Sequence, residues 1–337
     1  MASTMRLAVM GIAHSHIQSL IGYAKQIEDV ELVAIADARR EDGASELATR
    51  FEIPQVFSDY EQLLASARPD AVLCCAENSS HVAVVEACAG EGVPVMVEKP
   101  LAGTVAEAQR IAELAQAGGI RVMTNWPFLW SAAFHKLHDL VREGVLGTIF
   151  EFRLRAGHAG PTGGRLPADP RGAWWFERKH GGGALLDFCC YGACESLWLI
   201  GEPAQQVVSL ADRLLYDFGD TEDNAVVLVR YPRAFAILEA TWTQHGSPPP
   251  NGPIVWGSEA TAYVSGQNQI ALLRDGQEEQ MEATELPVEP SGPAHFVACL
   301  REGREFHQVV GLAHNLQVMA ILDAGLQAAR EGRAVCL

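Results

Sequence analysis

Residues 5–16 read MRLAVMGIAHSH, an apolar run that stops at Gly11 and is followed by two histidines one residue apart. Two chemistries compete for such a turn. His14 and His16 resemble the metal-binding pair that follows the first strand of hydrolases built on (β/α)8 barrels. A tight strand-to-helix turn with free backbone N–H groups is equally an anion cradle for a nucleotide. The metal reading needs further ligands at later strand ends, and those ends offer Asp37, Glu77, Lys99 and Asn125, with no histidine. Only five strand–helix units are legible, too few for a barrel, so no metal is expected.

The nucleotide reading fares better. GIAHSH occupies the frame of G-x-G-x-x-G, with Gly11 kept, a small Ala13 in the second place and His16 in the third. The second apolar run ends in Asp37, 26 residues after Gly11, where an acid would grip the adenosine ribose hydroxyls. A carboxylate there repels a 2′-phosphate and favours NAD; Arg39 and Arg40 keep NADP as the alternative.

Outward from this turn, the first 125 residues alternate β-rich runs (MRLAVMGI, VELVAIAD, AVLCCAE, VPVMVEKP, RVMTN) with amphipathic stretches at 14–28, 41–51, 59–67, 79–91 and 104–117. Strands alternating with helices predict a doubly wound parallel sheet, covered on both faces. The rhythm then changes. A helix over 131–143, a strand in TIFEFRLRAGH, a Gly/Pro-rich loop at 157–172 and an apolar helix over 184–200 precede several strands, with a last helix over 313–330. That pattern predicts an α+β domain with a large open, mostly antiparallel sheet. The expected division is residues 1–124 for dinucleotide and 125–337 for substrate and assembly.

At 337 residues two domains are the better expectation. A net charge of −17, with no concentrated basic patch, argues against nucleic acid. No apolar run approaches the roughly 20 residues that span a bilayer, and the start lacks the layout of a signal peptide. The eight cysteines, including Cys74-Cys75 and Cys189-Cys190 inside apolar segments, suit packing in a reducing compartment. The expectation is a cytoplasmic protein.

VPVMVEKPLAGTVAEA and GGGALLDFCCYGACESLWLIGEP together resemble the Gfo/Idh/MocA oxidoreductase family, with support from NSSHVAVVEAC, TEDNAVVLVRY and GSEATAYV. The resemblance covers nearly the whole chain in order. It implies a Rossmann domain followed by an α/β domain whose open sheet forms dimers or tetramers face to face, and a small polyhydroxylated substrate. It further implies that Lys99 touches the substrate hydroxyl and the nicotinamide ribose, that Glu98 and Pro100 set the backbone beside the ring, and that Asn78 lies close to the cofactor. In the family's Asp-x-x-x-His pattern Asp187 matches the acid and Tyr191 replaces the histidine, as in the branch resembling glucose–fructose oxidoreductase and dihydrodiol or xylose dehydrogenases. Cys194 stands where a further acid is common.

The expected cofactor contacts are therefore Gly11, Ile12, Ala13, His14 and Ser15 of the turn, Asp37 and Arg39, Asn78 and His81, and Glu98, Lys99 and Pro100. Lys99, Asp187 and Tyr191 are the expected catalytic set; these three with Asn125 and Trp175 are the expected substrate contacts. Hydride transfer at an alcohol carbon requires its hydroxyl proton to leave, so an acid/base must reach that oxygen. Tyrosine titrates near ~10 and lysine near ~10.4; around one oxygen, the ammonium stabilises the phenolate while desolvation disfavours the ammonium, and both effects bring the values toward neutral pH. Asn125 either bonds a substrate hydroxyl or caps a strand, and Trp174 and Trp175 either stack on a ring or pack the core. His16 is expected to pack. His158 and His180 flank the 157–172 loop, the expected lid. The competing class is a non-catalytic dinucleotide or sugar sensor on the same scaffold.

Overall fold

Strands buried on both faces read as continuous apolar runs, and four of the first six behave so. β1 (Met5–Ile12), β2 (Val30–Ala36), β4 (Ala71–Cys75) and β5 (Val95–Glu98) carry uninterrupted buried stretches, with the two-residue β3 (Val56–Phe57) at one edge and β6 (Val122–Asn125) at the other. All pair in parallel, in the order β3-β2-β1-β4-β5-β6. The connecting helices are α1 (Ile17–Ala24), α2 (Glu41–Phe51), α3 (Tyr60–Ala67), α4 (His81–Glu91) and α5 (Val105–Gly118). Asp59 and Thr104 cap α3 and α5 by accepting the Gln62 and Glu107 N–H groups, each cap contributing about 1 kcal/mol.

The structure, a computed structural model, describes residues 4–161, 170–246, 252–284 and 289–337. Its chain divides into two units: one runs through Trp126 and includes Lys179–Gly181 and Glu289–Leu316; the other takes the remainder. Most of the expected lid, residues 162–169, lies outside the described residues.

The second unit begins with α6 (Ala132–Arg142) and β7 (Ile149–Gly157), continues through α7 (Cys190–Ile200), and adds β8 (Gln206–Asp212), β9 (Asn224–Arg230), β10 (Phe235–Thr241), β11 (Ile254–Gly257), β12 (Thr261–Gly266), β13 (Gln269–Arg274) and β14 (Gln277–Glu282). With the terminal strand the sheet has nine members, in the order β14-β13-β12-β11-β7-β10-β9-β8-β15, and only the β7–β10 pair is parallel. Alternation is clean: Val227, Val229, Ala236, Leu238, Phe152 and Leu154 are buried, whereas Val208, Leu210, Val226, Leu228 and Phe235 are exposed.

The chain then supplies α8 (Gly292–Glu302), which belongs to the first unit, the long α9 (Leu312–Glu331) and β15 (Val335–Cys336). Arg301 on α8 reaches the Glu28 and Asp29 carbonyls, and Arg121 donates to the Cys299 and Arg304 carbonyls. These bonds seat a C-terminal segment on the N-terminal unit. The expected 14–28 helix is shorter at both ends, because residues 13–16 form a turn in which His14 N–H bonds Cys75 O and His16 N–H bonds the His14 ring. The expected 184–200 helix opens with a π turn at Leu185–Cys189.

Candidate active site

In the first unit the site grows from the carboxyl ends of β1, β2, β4 and β5. Gly11 has φ +79°, and a Cβ there would lie 2.5 Å from Ala76 Cβ, so only glycine allows β1 and β4 to part so closely at the turn. Asp37, just past β2, accepts the Ile12 N–H through Oδ2 and the Arg39 N–H through Oδ1, each at 2.9 Å. Its buried carboxylate is thereby aimed at the turn rather than turned to solvent.

Beyond β4, Glu77 accepts Arg40 Nη2 at 2.7 Å and Arg39 Nη1 at 3.2 Å. Burial pushes its carboxyl upward, but the Arg40 hydrogen bond and charge, with Arg39 behind them, outweigh that and hold it below the usual range. Arg40 is buried and also stands 3.6 Å from Asp37, while Arg39 is exposed with its guanidinium 3.4 Å from His180 Nδ1. Asn78 donates to Gly181 O at 2.7 Å. His81, wholly buried, meets Leu101 O at 3.1 Å, and burial lowers its proton affinity.

The end of β5 carries the densest chemistry. Lys99 is only 2% exposed and Glu98 1%. Glu98 Oε1 meets His16 Nδ1 at 3.0 Å, and Oε2 accepts Asn125 Nδ2 at 2.8 Å from the neighbouring strand end. Burial raises the Glu98 carboxyl, but the His16 charge and hydrogen bond, then Asn125 and Lys99, prevail and lower it. His14 is held well below its ordinary value by burial, then by the charges of His16, Lys99 and His81. The turn's residues Ile12, Ala13 and Ser15 lie between these groups, and Pro100 follows Lys99 through a cis peptide.

In the second unit Gly183, at φ +114°, opens the helix that bears the other candidates; a Cβ there would sit 2.3 Å from Glu222 Oε1. Glu222 accepts the Leu185 N–H at 3.0 Å, a carboxylate at a helix start, and burial raises its proton affinity. Asp187 lies in the π turn, buried, and accepts Trp242 Nε1 at 2.9 Å. Tyr191, half-buried, stands one turn on, its ring edge-on to Phe128 at 6.4 Å. Trp175 is buried, stacked on Trp174 at 3.9 Å and edge-on to Trp242. His158 accepts the Gly160 N–H and packs edge-on to Phe188. One further turn along α7, Glu195 is 2% exposed; its Oε2 has no hydrogen-bond partner among the described residues, and burial lifts it well above the usual carboxyl range.

Within the first unit the expected residues of the turn, Asp37, Glu98 and Asn125 are joined by direct bonds. His81 bonds inward to Leu101, and the Asn125 amide is committed to Glu98. His16 is a hydrogen-bond partner of Glu98 as well as a packing residue. Sequence reasoning misses Trp242, Glu222 and Glu195, and names Glu77 only as a strand end. A charge inside the apolar ACESLWL stretch was the one signal for Glu195; the Trp242–Asp187 bond spans 55 positions and leaves no local trace.

Residues 5–126 match the family described as "Oxidoreductase family, NAD-binding Rossmann fold", and residues 134–263 match the "GFO/IDH/MocA C-terminal domain". The chain belongs to the Gfo/Idh/MocA family of oxidoreductases. It is 28% identical to the myo-inositol 2-dehydrogenase of Thermotoga maritima over 67% of this chain and 65% of that one. It is 24% identical to the trans-1,2-dihydrobenzene-1,2-diol dehydrogenase of Xenopus tropicalis over 89% and 90%. The aldose–aldose oxidoreductase of Caulobacter crescentus superposes with a TM-score of 0.85 at 23% identity, covering 99% of this chain and 100% of that one. The relatives are sugar, cyclitol and diol dehydrogenases, and the N-terminal segment is an NAD-binding Rossmann domain. The parallel sheet, the large mostly antiparallel sheet and the family expectation all hold.

Proposed function

We propose that this protein moves a hydride between nicotinamide and a carbon bearing a hydroxyl or carbonyl in a sugar, cyclitol or related diol, with Lys99 and Tyr191 handling the proton. The observation that carries this reading is Lys99 itself. A lysine 2% exposed at the carboxyl end of a parallel strand is costly, and such strand ends are where α/β sheets bind ligands. The residues present suit a dinucleotide: a glycine turn no Cβ fits, an adjoining helix start, and an acid aimed at the turn by Ile12 N–H. Residues 11–15 would hold the pyrophosphate, Asp37 and Arg39 the adenosine ribose, and Asn78, His81 and Glu98–Pro100 the nicotinamide half. When bound, the nicotinamide accepts or donates the hydride.

The chain's own part is the proton. In the proposed oxidation Tyr191, as the phenolate, takes the proton from the substrate hydroxyl and becomes the phenol, and Lys99 assists as a cation. Asp187, fixed by Trp242, keeps an acceptor one turn before Tyr191. NAD is the preferred cofactor because Asp37 opposes a 2′-phosphate; the exposed Arg39 keeps NADP within reach.

The assembly is a homodimer or homotetramer through the nine-stranded sheet, supported by the exposed Val208, Leu210, Val226, Leu228 and Phe235 on its outer positions. The stretch Arg178–Ile200 is long and apolar enough to cross a membrane but is 83% buried, as a core helix is. Neither nucleic acid nor membrane is a proposed partner. None of the eight cysteines is in a disulfide and seven are buried, which supports a cytoplasmic setting. A polyol panel followed by nicotinamide absorbance tests the activity: reduction on one or more diols supports it, and tight dinucleotide binding with no reduction on any would replace it with a sensor.

A further inference from the structure

The His14–His16 turn gains from the fold what its sequence lacks, a third ligand. Glu98 arrives from β5, 82 positions away, and one ligand atom from each of His14, His16 and Glu98 lies within 4.8 Å of the others. We propose that these three side chains form a binding site for one divalent transition ion of the zinc or cobalt type in the dinucleotide-free protein. The inference does not rest on the hydride-transfer reading.

Two imidazoles and a carboxylate are a ligand set that zinc takes in three-ligand sites, leaving a further position for water. Zinc–ligand bonds of about 2.0–2.2 Å place tetrahedral ligand atoms roughly 3.4 Å apart. His16 Nδ1 and Glu98 Oε1, at 3.0 Å, nearly have that spacing already. The His14 and His16 rings lie 4.2 Å apart between centroids, so a side-chain movement on the order of 1 Å closes the set. An ion would replace the bond from His16 N–H to His14 Nδ1 if it took that nitrogen.

The surroundings suit a ligand cluster. Asn125 holds the other Glu98 oxygen, the outer support that orients metal-bound carboxylates. His14 and Glu98 are buried, whereas the His16 side chain is 37% exposed and provides the way in. The opposing force is the nearby Lys99, whose charge reaches His14. Imidazole and carboxylate together favour zinc, cobalt or nickel over magnesium or calcium, which prefer all-oxygen shells.

The test is a Co2+ titration of metal-stripped, dinucleotide-free protein, read by the visible d–d bands and by equilibrium dialysis. Wild type takes up one Co2+ per chain, while His14→Gln and His16→Gln bind at least about tenfold more weakly. Circular dichroism checks that both variants remain folded. As a second reading on the unaltered chain, Zn2+ shifts the ring resonances of two histidines out of eleven in NMR spectra. No uptake by wild type, undiminished uptake by the variants, or a shifted set other than two histidines overturns the site.

Discussion

Two sets of buried carboxylates, the strand-end acids of the first unit and Glu195 and Glu222 of the second, are held in opposite ways. In the first, Asp37, Glu77 and Glu98 each stand at a strand end with named donors, and arginine, histidine or amide groups hold Glu77 and Glu98 ionised below their usual range. In the second, Glu222 accepts the Leu185 N–H and Glu195 Oε2 has no hydrogen-bond partner among the described residues, and burial pushes both upward. Fixed charge suits a site that must seat and orient a charged dinucleotide. An acid whose proton affinity burial raises sits on the same helix as Asp187 and Tyr191, which are expected to meet an uncharged polyol. The lesson is that a buried charge is legible as function only together with its partner, or with the lack of one.

The largest expected effect is at Lys99 and Tyr191, the pair proposed to handle the proton. Lys99→Ala and Tyr191→Phe are each expected to lower turnover by about 100- to 10,000-fold in steady-state assays, while fluorescence titration shows dinucleotide affinity within a few-fold of wild type. Normal turnover in either variant would remove that residue from the mechanism.

Glu77→Gln tests the paired side. It leaves Arg40 buried without its nearest counter-charge, at a cost of about 3 kcal/mol in urea unfolding. A loss near zero would mean that Asp37, 3.6 Å from Arg40, carries the charge balance alone.

Glu195→Gln tests the unpaired side, and its sign follows from linkage. Because the folded protein raises the Glu195 value, the wild-type chain loses stability as pH climbs from the unfolded value of about 4.3 toward the folded one, at up to ~1.4 kcal/mol per unit. The Gln variant has no such loss. Its stability relative to wild type should therefore grow with pH across that window and stay constant below about pH 4; pH-independent differences would show that Glu195 is paired or ionised in the fold.

Leu210→Glu, 79% exposed on β8, is expected to change chain stability by less than about 0.5 kcal/mol but to lower the assembly's mass in light scattering. An unchanged mass would move the interface elsewhere.

How much of this was legible follows the same divide. The parallel sheet could be read because its strands are continuous apolar runs, and the expectations for Lys99, Asp187 and Tyr191 come from local motifs. Contacts made across the fold could not. Glu98 meets His16 over 82 positions, and Asp187 meets Trp242 over 55, with no periodicity linking them. Asn125 was correctly placed at a strand end, yet its amide partner follows from β5–β6 register. α8 has no counterpart among the expected elements, and the Arg301 and Arg121 bonds tie it to the first unit.

The most direct test of the central claim is isotope transfer. A polyol deuterated at its carbinol carbons is incubated with the protein and NAD, and the recovered dinucleotide is weighed by mass spectrometry. Transfer of one deuterium, as deuteride, to the nicotinamide by wild type, and a sharp fall with Tyr191→Phe, is the expected result. Dinucleotide that binds tightly yet stays unlabelled with every diol and sugar offered would contradict it.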